Sequence, residues 1–138
     1  MLIALGAGWI SGTEYGLWRK GKIAVWSAPV GPMAAWPSDP VFGTPSKHFG
    51  RFTATTRWTY FSIALALEDA GLRKDERADT GLLSTDDDGC MASNQDYFKD
   101  YIDGGRTLAR GNLFIYTLPT SPIAEAAIGF GLQGPLLY

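Results

Sequence analysis

The sequence predicts an α/β fold, and three observations carry that expectation. Residues 2–10 are apolar throughout, broken only by small residues, which is the pattern of a strand buried on both faces. Residues 53–70 place Trp58, Phe61 and Leu65, with Leu72 beyond them, at three-to-four residue intervals, the rhythm of a helix with one buried face. Residues 121–130 read as a further helix, and "LQGPLLY" then turns into the first residues of another buried strand. Strand and helix alternating along one chain point to helices packed on a sheet.

The elements follow in order. Glycines at 6, 8, 12 and 16 succeed or interrupt the first strand. A dinucleotide-binding fingerprint needs G-x-G-x-x-G at the mouth of a helix. Here the spacing is Gly6-x-Gly8-x-x-x-Gly12, and no acidic residue stands at the ribose-binding distance, so these glycines are read as close-packing and turn positions. Residues 27–50 hold Pro29, Pro32, Pro37, Pro40 and Pro45 with several glycines; this is an irregular surface stretch, and Trp26 and Trp36 are expected to pin it to the body. In the long helix, Ala54, Ala64 and Ala66 offer small contact surfaces, Gly71 stands where a C′ glycine ends a helix, and Leu72 supplies the accompanying apolar contact. A charged turn, "RKDERAD", leads to a short second strand over 80–84. The acids Asp86, Asp87 and Asp88 suggest a calcium loop, but Ser84 and Gln95 occupy its first and last ligand places, so they are read as solvated loop acids. A short helix is expected over 93–102 with Tyr97, Phe98 and Tyr101 inward. In the last helix Ser121 suits the N-cap, Pro122 the first helical position, and Glu125 the positive end.

Composition bounds the function. The 138 residues suit a single domain with a real core. The net charge is −2 with scattered basic residues, which gives no nucleic-acid surface. One cysteine, Cys90, allows no internal disulfide and fits a reducing compartment; one histidine, His48, allows no histidine-rich metal site. The start, "MLIALGAGWISG", lacks a basic n-region, and no apolar run reaches membrane-spanning length. A cytoplasmic protein without cofactor or metal is the expectation.

Two longer stretches carry a resemblance. "HFGRFTATTRWTYFSIALALEDAGL", residues 48–72, is similar to an Arg-Phe entry into a long Ala-rich helix ending "ALxDAGL". "LARGNLFIYTLPTSPIAEAAIGFGLQGPLLY", residues 108–138, is similar to a segment ending "GLxGP" that precedes a nucleophile strand. "TGLLSTDDDGC" lies where the second-strand pattern "GVIVGTGxGG" belongs, and "LIALGAGWISGTE" resembles the opening "VVITGxGxxSPxG". Together they resemble, over nearly the whole chain and in order, the N-terminal half of β-ketoacyl synthases of the thiolase-like superfamily. The resemblance implies a small, mostly parallel sheet flanked by helices, with the Pro/Gly-rich stretch near 27–50 as an insertion.

By this resemblance the chain ends inside the strand that delivers the family's nucleophile cysteine, and the two catalytic histidines belong to an absent second half. The family's condensation needs a thiolate to take the acyl group and histidines to assist decarboxylation. None of these has a counterpart here, so no catalytic residue is assigned. Thr120 stands where many members have an asparagine opening the pre-nucleophile helix. The stretch matching 112–120 approaches the family's acyl pocket near the dimer interface, which makes Leu113, Phe114, Ile115, Tyr116 and Thr120 the acyl-pocket or interface candidates. Cys90 is a poor substitute nucleophile, because the neighbouring acids raise a thiol pKa and His48 lies in another segment. No G-x-S-x-G is present.

The implied function is that of a synthase-like half in fatty acid or polyketide synthesis, without activity by itself. The alternative is a non-catalytic partner or scaffold. The implied partners are a second copy or a synthase subunit, with acyl carrier protein as a further one.

Overall fold

In the computed structural model, which describes residues 3–26, 35–107 and 110–138, five short strands and three shorter helices surround one long central helix. β1 (Gly8–Ile10), β2 (Glu14–Leu17) and β3 (Lys22–Val25) form an antiparallel meander in which Trp9 faces Gly16 and Tyr15 faces Ala24. α1 (Ala54–Ala70) crosses it. β4 (Leu82–Leu83), α2 (Met91–Asp103), α3 (Gly111–Ile115), α4 (Ser121–Phe130) and β5 (Leu136–Leu137) complete the chain. β4 and β5 pair in parallel, Leu82 opposite Leu136 and Leu83 opposite Leu137. The protein is thus an assembly of helices and small sheets, one with parallel strands.

The opening strand is much shorter than the sequence implies. Only Gly8–Ile10 pair, Ile3 and Leu5 stay exposed, and residue 2 lies outside the described residues. Two strands follow that the sequence reading had not separated. The connection after β1 is tight: the Ser11 hydroxyl oxygen accepts from the amides of Thr13 and Glu14 at 3.3 and 3.1 Å. Trp18 to Gly21 closes the next. Such short connections can join antiparallel neighbours only, so the larger sheet is antiparallel, and parallel pairing is confined to β4 and β5.

α1 begins where expected. Thr53 caps it by accepting from the Thr56 amide, and Gly71 ends it at φ 68°, a left-handed turn that a Cβ would strain. Leu72 returns its amide to the Leu67 carbonyl and packs beside Leu67. The helix is buried on several sides: Phe61 and Leu65 are fully enclosed, with Tyr60, Ala64 and Leu67 nearly so. Trp26 lies on Tyr15 and Phe42, and Trp36 meets Phe49, Tyr60 and Phe61 edge-on. They pin residues 35–50, irregular apart from 3-10 turns at Pro40–Phe42 and Phe49–Arg51; residues 27–34 lie outside the described residues. Asp39 anchors this stretch from below, accepting from the Tyr15 hydroxyl at 2.5 Å and pairing with Lys22 at 2.8 Å.

The charged group that fixes α1 on the meander is Asp69. It is 2% exposed. Its Oδ2 accepts from the backbone amides of Ala7 and Arg19, at 2.8 and 2.9 Å, and its Oδ1 from that of Lys20, at 2.9 Å. Burial pushes the carboxyl pKa up, but the three amides and the Lys20 charge outweigh it, and the net shift is downward.

α2 runs from Met91 to Asp103, longer than the 93–102 expectation, and has no buried residue. Tyr97 and Tyr101 are half-buried, while Phe98 is 62% exposed rather than inward. The helix docks chiefly on α3, through Tyr97 against Phe114 at 5.7 Å, which leaves Phe98 without cover. Ser121 is the first residue of α4 and not its cap; Thr120 holds the cap position without a side-chain bond, and the Ser121 hydroxyl donates to the Ile115 carbonyl.

Because the folded pKa of Asp69 is depressed, its contribution is complete above the ordinary value of 3.8 and is lost as pH falls below it. Asp69→Asn is expected to lower the urea midpoint at pH 7 and to flatten the acid limb below about pH 4, read by circular dichroism across the pH series.

Candidate functional site

Glu125 gathers the most polar chemistry in the interior. It is the one charged residue in the otherwise apolar body of α4, and it is 6% exposed. It lies on the buried side of the helix, not at a solvated positive end. Arg51 Nη2 reaches its Oε1 at 2.8 Å, and the Tyr116 hydroxyl donates to the same oxygen at 3.1 Å. Arg51 also lies 3.0 Å from His48 Nδ1. The same Nδ1 lies 3.5 Å from Glu125 Oε2. Hydrogen bonding to Glu125, partly offset by desolvation, raises the Arg51 pKa. Burial first, and the Glu125 charge next, push the Tyr116 phenol up to about 12.

The local folding explains the convergence. The Phe49–Arg51 turn leads into α1 and presents Arg51 toward α4. α3 ends at Ile115, and Tyr116 drops into the core cluster that also holds Tyr15 and Phe61. The cluster links the entry to α1, the end of α3 and the middle of α4. His48 is half-buried in it, not an exposed residue ahead of the helix. Such a set can hold a fixed internal charge; each member is already partnered, which is the mark of a structural pin.

The five candidates from the sequence divide. Tyr116 is buried and bonded to Glu125. Leu113 is half-buried; Phe114 and Ile115 are 50% and 43% exposed; Thr120 is exposed. They form one turn of surface with a single buried anchor. Sequence reasoning missed Arg51 and misread Glu125. The available signal was a lone acid inside an apolar helix, a residue type seldom fully buried unless paired.

Cys90 precedes α2 at 8% exposure, and its Sγ donates to the Leu118 carbonyl at 3.4 Å. Burial pushes the thiol pKa up, and the Asp86 charge adds to it. Cys90 and His48 make no hydrogen bond to one another. Asp86 is a loop acid: its Oδ1 accepts from the amides of Asp88 and Gly89. Among the described residues no group of three or more His, Cys, Asp or Glu side chains is placed to hold a metal ion, and no helix is long and apolar enough to cross a membrane.

No protein family, no curated protein and no solved structure matches the chain.

Arg51→Ala removes one partner of a nearly buried carboxylate. With Arg51 itself 42% exposed, screening limits the cost to about 1–2 kcal/mol. Glu125→Gln should cost less, since its carbonyl still accepts from Tyr116; urea denaturation of both variants checks the order. The raised thiol pKa of Cys90 predicts slow alkylation by iodoacetamide at neutral pH, accelerating only in urea. Rapid modification of the folded chain, followed by mass spectrometry, would contradict the burial described above.

Proposed function

We propose that this chain is a β-ketoacyl-synthase-like N-terminal half which supplies acyl-thioester-binding and interface surface and performs no condensation by itself. The observation that supports the reading is the way residues 48–72 and 108–138 join. Arg51, from the first, and Tyr116 and Glu125, from the second, meet in one buried cluster. α1 and α4 pack along each other, with Tyr60 and Phe130 rings 4.5 Å apart. The segment after α4 then pairs in parallel with β4. Parallel pairing of strands separated by helices is the connection an α/β sheet requires, and it agrees with the element order behind the resemblance.

With one cysteine and one histidine, the chain cannot supply a Cys-His-His set. Cys90, buried and with its pKa raised, is not an activated nucleophile. Its contribution is therefore surface. Phe114 and Ile115 stand exposed on the turn that Tyr116 anchors, and in this reading they meet an acyl chain or a partner subunit.

A second reading, a dedicated non-catalytic partner or scaffold, is favoured by a separate observation. Leu83 and Leu137, opposite each other in β4 and β5, are 76% and 59% exposed. Parallel strands normally have both faces covered, and this pair has one.

Purified chain incubated with malonyl and acyl thioesters should give no condensation product. Turnover that survives Cys90→Ala would break the motif correspondence, and turnover lost in that variant would make Cys90 the nucleophile. Light scattering of the chain alone, and mixed with a synthase, separates the two readings from a third outcome. A homodimer or a defined complex supports an interface role; a monomer that ignores the synthase opposes both.

A further inference from the structure

The outer face of the meander is apolar, and among the described residues no layer packs on it. Gly6 and Gly8 face α1, where a Cβ would meet Ala70 and Leu65, and Tyr15 and Leu17 enter the core. Alternation along a strand therefore turns Trp9, Trp18, Ile23 and Val25 the other way. The ladder sets them side by side. Trp9, Gly16 and Ile23 lie in one row across the three strands, Glu14 lies opposite Val25, and the Trp18 amide donates to the Ala7 carbonyl. A Cβ at position 16 would fall 2.5 Å from Trp9 Nε1, so the indole lies down across the glycine and levels the face. Trp18, Ile23 and Val25 are 67%, 68% and 75% exposed, and Leu5 continues the alternation at 53%.

The strands give this face one charged side chain, Glu14, at the end of the central strand. The cations of the adjoining turn are engaged within the chain: Lys20 pairs with Glu68 at 2.5 Å, Lys22 with Asp39 at 2.8 Å, and Arg19 donates to the Leu5 carbonyl at 3.2 Å. An anionic bilayer is held by cations free to meet lipid headgroups, and both lysines here are already neutralised. A level, nearly uncharged sheet face is complementary to another of the same kind, since sheets stack about 10 Å apart on their apolar side chains. Leu5, Trp9, Trp18, Ile23 and Val25 leave roughly 500 Å² of apolar surface open per copy, near the most that a monomer ordinarily shows. With a polar rim, that reaches the roughly 800 Å² per partner of a stable interface.

We propose that two copies of this chain dimerise by stacking the outer faces of their meanders, with Trp9, Trp18, Ile23 and Val25 at the centre of a twofold interface. Such a contact needs a single self-complementary patch, and an apolar face with no charge at its middle is one. The face holds none of positions 113–120 and neither β4 nor β5, so it stands independently of the acyl-surface and scaffold readings.

The test is sedimentation velocity of the intact chain across a concentration series. A dimer is expected with a dissociation constant below about 10 μM, and it should persist in about 1 M sodium chloride because apolar contact is not screened. Ile23→Lys and Val25→Lys should each weaken it by about tenfold or more, since each would bury an unpaired ammonium. Both positions are exposed on an edge strand, where lysine is well tolerated, and circular dichroism checks that the variants fold. Val25→Thr keeps the shape of the strand and should still weaken the dimer by about threefold. Phe98→Ser, on α2, should leave it unchanged. The proposal is overturned by a chain that is monomeric at about 100 μM, whether free or bound to vesicles of phosphatidylcholine and phosphatidylglycerol. It is equally overturned by a dimer that salt dissolves, or by one that Phe114→Ser breaks and Ile23→Lys spares.

Discussion

Everything in this chain is arranged around the approach of α1 to the backbone that enters the meander. A Cβ at position 6 would lie 2.3 Å from the Ala70 amide nitrogen, and one at position 8 would lie 2.4 Å from the Leu65 Cβ. Only glycine permits backbones to come that close. The contact sets the depth at which Phe61 and Leu65 are buried, and so the place of the aromatic cluster that Phe42, Trp36 and Tyr60 build on them. Asp69 locks the approach with three amides from two separate segments of chain.

Two buried carboxylates do different work in this frame. Asp69 is satisfied by backbone donors, which cannot be moved without unfolding the turn that carries them. Glu125 is satisfied by side chains, Arg51 and Tyr116, and so ties elements distant in sequence. A buried charge is tolerated when it is paired: Asp69 accepts through both of its oxygens, Glu125 through Oε1. Between them they fasten the central helix to the sheet on one side and to α4 on the other.

The packing is uneven. Around α1 the aromatic rings interlock, whereas α2 buries nothing and displays Phe98 to solvent. Leu82 and Leu136 turn inward to the core while Leu83 and Leu137 turn out. Alternation along a strand makes this inevitable when only one face has a layer on it. This is the face that the proposed interface role would use.

The sequence by itself determined the local elements whose signals are self-contained. α1 was legible from its apolar rhythm and the Gly71 stop, and β4 and β5 were legible as short apolar runs, because propensity, capping and periodicity act within a few residues. The tryptophan pins were legible because large rings beside prolines have few other uses. The meander was not, because apolar residues 2–10 fit a long buried strand until the tight turns at 11–13 and 18–21 are seen to fold the chain back. Nor could the fate of polar groups be read. Glu125 resembles a helix-dipole acid until Arg51, 74 positions away, reaches it, and Asp69 resembles the end of an "ALEDAGL" motif until the amides at 7, 19 and 20 close on it. Burial and partnership of a charge are set by segments remote in sequence, and only the tertiary structure brings those together.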